Sequence, residues 1–263
     1  MLFEREVHPN WGTHKFDFGR PEVRSFLVSN VLFWIEQFHV DGIRMDGVSS
    51  MLYLNFGVDN PADKKFNKYG TEEDLDASAF IRQVNCAVGR EFPDVMMIAE
   101  ESTAWPLVTY PAEDGGLGFH LKWDMGWMND TLHYMQCDFP WRPGNHSLLT
   151  FSIMYAFSEN FVLPLSHDEV VNGKCSLIGR MPGDDWRRFA GLRTLAFYQM
   201  THPVPSSTSW ATRSANKSNG ATTRPSNGSS LRTSTLLTAL SSALSRLSTT
   251  CTRRSVAYGR TLQ

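Results

Sequence analysis

Short apolar runs, most of them preceded by a stretch of helical periodicity, constrain this chain more than any other feature, and most of them end in a carboxylate. Gly19-Arg20-Pro21 puts a proline at an early helical position. Val23, Phe26, Leu27, Val31, Trp34, Ile35 and Phe38 then repeat with helical spacing. The run 39–46 reads as a buried strand ending in Asp46. A second helix is expected over about 72–91, closed by Pro93, before the strand run 95–99 that ends in Glu100-Glu101. A third strand falls at 117–123 and is followed by a helix over 128–135. A fourth, 161–165, ends in Ser166-His167-Asp168-Glu169, and a last helix covers about 185–200.

Helix then strand, repeated, predicts an α/β protein with a parallel sheet. In a (β/α)8 barrel the strand C-termini open onto one face, where the chemistry sits. From Glu100 to Asp168 is 68 residues, or two repeats of 34 with one strand between. A barrel of about 250 residues has about 31 per repeat. Only about four strands fit before residue 203, so the expectation is a partial (β/α)8 barrel, about half of one.

Composition divides the chain at the same place. All 27 acidic residues lie in 1–203, whereas 204–263 carry eight basic residues, no acid, and Ser or Thr at 25 positions. The overall charge of −2 is therefore a cancellation between a body at −10 and a tail at +8. The near-zero net charge argues against nucleic acid as a partner, whose footprint would be basic. The tail has no aromatic residues interleaved with its basic ones, as single-strand binding requires. We expect 1–203 to be the partial catalytic barrel. The low-complexity stretch 204–263 is expected to be disordered or translated out of frame. No apolar run approaches the ~18 residues of a spanning helix, and the N-terminus lacks a secretory apolar core. A soluble, cytoplasmic chain without a membrane partner is expected. Four scattered cysteines form neither a disulfide framework nor a zinc motif, so no metal is expected.

Asp46, Glu100 and Asp168 are the candidate chemical set. Two carboxyl groups at a sugar's anomeric carbon divide the work: an ionised one attacks, and a protonated one gives its proton to the leaving oxygen. A third can hold hydroxyls and favour the charged transition state. Spacing alone leaves open a helix-capping role for Asp46 or Asp168, an ion-pair role for Arg44, and divalent-metal binding by the carboxylates. Glu100 and Glu101 point to opposite sides of an extended chain, so only one can face a site. Trp123 and Trp127 read as core residues more than sugar platforms, and His8 and His14 as surface histidines.

The local words are more specific. Asp41-Gly42-Ile43-Arg44-Met45-Asp46, Met97-Ile98-Ala99-Glu100-Glu101-Ser102-Thr103 and Leu165-Ser166-His167-Asp168-Glu169-Val170-Val171 occur in that order. They resemble the second, third and fourth signature regions of the α-amylase superfamily. His8-Pro9-Asn10-Trp11-Gly12-Thr13, Ser50-Met51-Leu52-Tyr53 and the stretch 122–132 narrow the resemblance to bacterial 1,4-α-glucan (glycogen) branching enzymes. It covers essentially all of 1–203.

That resemblance implies a glycosyltransferase acting on glycogen or an amylose-type α-glucan, without a cofactor. Asp46 would be the nucleophile and Glu100 the proton donor. Asp168 would be the transition-state stabiliser, and Arg44 and His167 would bind substrate, with Arg44 also keeping Asp46 ionised. An α-1,4 bond would be cut and the chain passed to a 6-hydroxyl as an α-1,6 branch. Another glucan hydrolase of the superfamily and an inactive glucan-binding fragment are the alternatives. Three departures accompany the match. The first signature region has no counterpart, the flanking β-domains are absent, and Gly47 stands where alanine is usual. We expect the chain as written to be inactive.

Overall fold

The computed structural model describes residues 3–8, 10–170 and 174–208, which fall into two compact units. The first takes the chain through Trp123 together with Phe157–Phe161; the second takes Asp124–Ala156 and the chain from Val162 on.

The first unit opens on an antiparallel hairpin of β1 (Phe3–Val7) and β2 (His14–Phe16). Helix α1 (Pro21–Phe38) starts at its proline, whose missing N–H is no loss in a first turn, and ends where His39 turns left-handed. Strand β3 (Gly42–Met45) leads into the short α2 (Val48–Leu52). Helix α3 (Leu75–Glu91) precedes β4 (Met96–Ala99), and β5 (Leu121–Trp123) completes the unit's parallel sheet in the order β3–β4–β5.

Asp74 starts α3 by accepting the backbone N–H groups of Asp76 and Ala77 at 3.1 and 2.9 Å. One face of that helix, with Ala77, Phe80, Ile81, Val84 and Val88, is buried at spacings of three and four residues. It shares a core with Phe18 and Ile35, Val48 and Leu52 of α2, Met97 and Ala99 of β4, and Val108, Leu117 and Phe119. Burying a large aliphatic or aromatic side chain of this kind contributes about 1.5–3 kcal/mol.

The second unit holds α4 (Met125–Gln136), the one-turn α5 (Ser147–Thr150) and β6 (Phe161–Leu165), whose first residue counts with the first unit. After these come α6 (Leu177–Arg180), α7 (Asp185–Thr201) and β7 (Ser206–Thr208). Aspartates again begin the helices: Asp124 accepts from the Trp127 N–H at 2.8 Å and Asp184 from the Arg187 N–H at 2.9 Å. Strand β7 runs parallel to β6, with the Leu163 N–H donating to the Pro205 carbonyl at 2.7 Å.

The expected elements are present with shifted ends, and some features depart from expectation. The hairpin β1–β2 carried no alternating pattern strong enough to announce it. Strand β7 falls just past residue 203, inside the stretch assigned to the tail; from residue 209 on, that tail lies outside the described residues. Of the seven apolar residues that define α1, only Val23 and Ile35 are fully buried. Phe26, Trp34 and Phe38 are exposed, because the apolar residues wrap more of the helix than the strip facing the core. His8 is a correction: expected at the surface with His14, it is 4% exposed, its ring stacked on Trp11 at 4.1 Å. Trp11 and Phe56 cover it, and sequence spacing does not reveal that cover.

Candidate active site

Asp46 and Glu100 each stand one residue beyond the end of a neighbouring parallel strand. Ladder pairing of β3 with β4 sets Met45 opposite Ala99, and the Glu100 N–H donates to the Met45 carbonyl at 3.0 Å. The Val48 N–H returns a bond to the Glu100 carbonyl at the same distance, which locks the two strand ends together. Gly47 follows Asp46 in the left-handed region, at φ 60°, where a side chain costs roughly 1–2 kcal/mol. That turn aims the Gly47 N–H at Glu100 Oε2, 2.6 Å away.

Arg44 joins the two carboxyl groups. It is two residues before Asp46, and its Nη2 lies 2.7 Å from Asp46 Oδ1 and 3.2 Å from Glu100 Oε2. Its guanidinium carbon sits 4.1 Å above the Trp123 ring, so a cation–π contact holds the fork from below. Trp123 itself is buried, as is Trp127, in keeping with core roles for both.

The carboxyl groups differ in surroundings. Asp46 is open to solvent, whereas only 21% of the Glu100 side chain is exposed. Burial pushes the Glu100 carboxyl up to about 7; the Gly47 N–H and Arg44 oppose the rise, while the neighbouring Asp46 adds to it. A carboxylic acid held there keeps a proton near neutrality and gives it up without large cost.

Glu101 turns the other way and is fully buried. Its Oε2 is 2.6 Å from the Lys122 Nζ, and its Oε1 accepts from Ser49 Oγ at 2.9 Å and from the Thr103 N–H at 2.8 Å. Lys122 also donates to the Thr103 carbonyl at 2.9 Å. This clasp fixes the chain directly after Glu100, and sequence reasoning did not identify it. The signal was a lysine inside the short strand run 121–123 together with a second glutamate of opposite facing.

His167 and Asp168 lie in the second unit, on a 3-10 turn that follows β6. His167 Nε2 is 3.3 Å from Asp168 Oδ1, and the Asp168 N–H donates to Ser166 Oγ at 3.1 Å. Ser166 and Glu169 form a reciprocal capping box around that turn. The structure thus brings Arg44, Asp46 and Glu100 together in one unit and His167 with Asp168 in the other. Among the described residues no group of three or more His, Cys, Asp or Glu is placed to hold a metal ion, and no described helix is long and apolar enough to cross a membrane.

The chain is similar to known proteins over about three quarters of its length. The chain is 57% identical over 202 residues to the 1,4-alpha-glucan branching enzyme GlgB of Desulfitobacterium hafniense, covering 77% of this chain and 32% of that one. It is 58% identical over 199 residues to the enzyme of the same name from Halothermothrix orenii, covering 76% and 31%. The Aquifex aeolicus enzyme is 58% identical over 201 residues, with the same coverage. The chain therefore spans about a third of the length of these relatives. An α-amylase from Lactobacillus plantarum matches in fold, with a TM-score of 0.50 and 16% identity over 83% of this chain and 46% of that one. No protein-family model matches. The fold is α/β with parallel strands, part of the barrel type expected from the sequence.

Proposed function

Starting from a chain that belongs to the 1,4-alpha-glucan branching enzymes by sequence, we propose that it carries the chemical centre for moving α-glucan chains. The observation that supports this most is the Arg44 fork shared by an exposed Asp46 and a partly buried Glu100 that retains its proton near neutral pH. Asp46 attacks the anomeric carbon as that carbon's bond to the 4-oxygen breaks, and Glu100 protonates the departing oxygen. The glycosyl chain is then held as an ester on Asp46. The Glu100 carboxylate next takes the proton of an incoming 6-hydroxyl, whose oxygen displaces Asp46 and creates an α-1,6 branch. Asp168 stabilises the positive charge on the sugar ring, and His167 and Arg44 bind hydroxyls. Cytoplasmic α-glucan, of glycogen or amylose type, is the substrate in this reading.

The test uses the chain joined to the missing parts of a relative, with new α-1,6 linkages counted by proton NMR after incubation with amylose. Asp46→Ala should reduce them by at least about a thousandfold, as loss of a nucleophile does. Retained branching would remove Asp46 from that role, and free sugars in place of branches would point to a hydrolase. We also propose that the 263-residue chain alone does not complete transfer, because it spans about a third of its relatives. Branches formed by that chain alone would overturn this.

A further inference from the structure

Glu101 is a buried charged group that the proposed transfer does not use. Its side chain is fully enclosed, and its ion-pair partner Lys122 is 6% exposed. A pair so enclosed is a weak stabiliser, because stripping water from both charges offsets much of their attraction. What it supplies, and an apolar pair of the same size would not, is a set of directed bonds. Three strand ends meet at this carboxylate. Ser49, on α2 just past the Asp46–Gly47 turn, donates its hydroxyl to Glu101 Oε1 and accepts the Ser102 N–H at 3.0 Å. Lys122 comes from β5, where it lies opposite Ala99 in the ladder. The Thr103 N–H and hydroxyl both close onto Glu101 Oε1.

These bonds begin where the ladder stops. Pairing of β4 with β3 and with β5 runs only as far as Ala99. Backbone bonds to Met45 and Val48 then hold the main chain at Glu100 itself. Residues 101–103 are held by the side chains of Glu101, Ser49 and Lys122. The direction of the Glu100 side chain depends on the peptide planes on both sides of its Cα. A shift of 101–103 therefore swings its carboxyl away from the Gly47 N–H and Arg44 Nη2. The same Ser49 hydroxyl ties that segment to the turn that carries Asp46. In a retaining pair the carboxyl groups stand about 5–5.5 Å apart, so a displacement of about 1 Å is enough to uncouple proton transfer from attack.

We propose that Glu101, Lys122 and Ser49 are positioning residues for the reaction, a buried clasp that sets the Glu100 carboxyl against Asp46 so that protonation and attack fall on one bond. The assignment rests on the branching-enzyme reading of the Asp46–Glu100 pair and adds to it what fixes their relation.

Two variants test it. Lys122→Met with Glu101→Leu keeps the space filled and removes the directed bonds; Ser49→Ala removes one hydroxyl and leaves the ion pair. In the chain completed with the missing parts of a relative, each should lower kcat for branching of amylose at least about tenfold, with KM within about twofold. A structural role alone would not keep kcat low in a double variant whose melting temperature is restored. In the 263-residue chain, carbon-13 NMR should find Glu100 titrating near 7. Both variants should move it toward the ordinary glutamate range, as the released carboxyl gains water. A Glu100 titration unchanged in the folded variants overturns the clasp, as does a kcat within about twofold of the unmutated enzyme. Should the double variant fail to fold, its melting curve shows this and Ser49→Ala decides. The two ideas fail separately. An inactive Asp46→Ala beside unaffected clasp variants removes the positioning role alone, whereas an active Asp46→Ala removes the reading on which it rests.

Discussion

Two adjacent glutamates receive opposite fates, and this contrast carries most of the site. Glu100 faces Arg44 and Asp46, whereas Glu101 is buried against Lys122. Removing one partner of such an enclosed ion pair leaves an uncompensated charge, at about 3–5 kcal/mol. Lys122→Met should therefore lower stability by that amount in urea unfolding. Lys122→Met combined with Glu101→Leu should recover much of the loss, and failure to do so would mean the pair is not the source. Glu100 adds a pH dependence. A carboxyl raised to about 7 in the folded state loses its proton as pH rises through that value, and the proton-donor step is lost with it. Branching by the completed enzyme should fall above about pH 7, with Glu100→Gln inactive at every pH. The same shift makes the folded state lose stability as pH climbs from the ordinary glutamate range toward 7, because the unfolded chain ionises first. A branching rate that keeps rising well above pH 7 would contradict the assignment of Glu100 as acid. Alternation along the chain allowed only one of the two glutamates to face a site, but Lys122 and the bent fork of Arg44 are set by neighbouring strands that the local sequence does not contain.

Helix α3 and the β3–β4 pair illustrate what periodicity reveals at the level of elements. The apolar spacing of residues 75–88 announced a helix, and Asp74 with its two backbone N–H donors explains where it begins. Asp74→Ala should cost about 0.5–2 kcal/mol in chemical denaturation, the range for losing such a cap. Burial raises the Asp74 carboxyl, so part of the cap's value is offset by lost hydration, and the measured cost should fall in the lower half of that range. The strand ends were legible as apolar runs closed by acids. Their register was not: that Met45 lies opposite Ala99, so that Asp46 and Glu100 emerge together, follows from ladder hydrogen bonds between segments over 50 residues apart. The hairpin β1–β2 is not legible for the related reason that it lacks a clean alternation and is defined by pairing.

The α1 face bears on the whole molecule. Phe26, Phe33, Trp34 and Phe38 are each about half exposed, and Phe33, Trp34 and Phe38 form an aromatic cluster on the surface. Contiguous apolar surface of this kind promotes association. The isolated chain should show concentration-dependent light scattering that Trp34→Lys with Phe38→Lys reduces; scattering unaffected by that pair would place the sticky surface elsewhere.

From the sequence alone came the α/β alternation, the acid-ended strands, the split in charge near residue 203 and the ordered motifs that lead to the branching enzymes. These are local properties, written in spacing and composition. Tertiary structure decided which glutamate faces Asp46, how far burial raises it, and that His8 is enclosed. Each of these depends on which distant segments meet, because desolvation and hydrogen-bond geometry belong to the assembled neighbourhood of a side chain and not to its place in the chain.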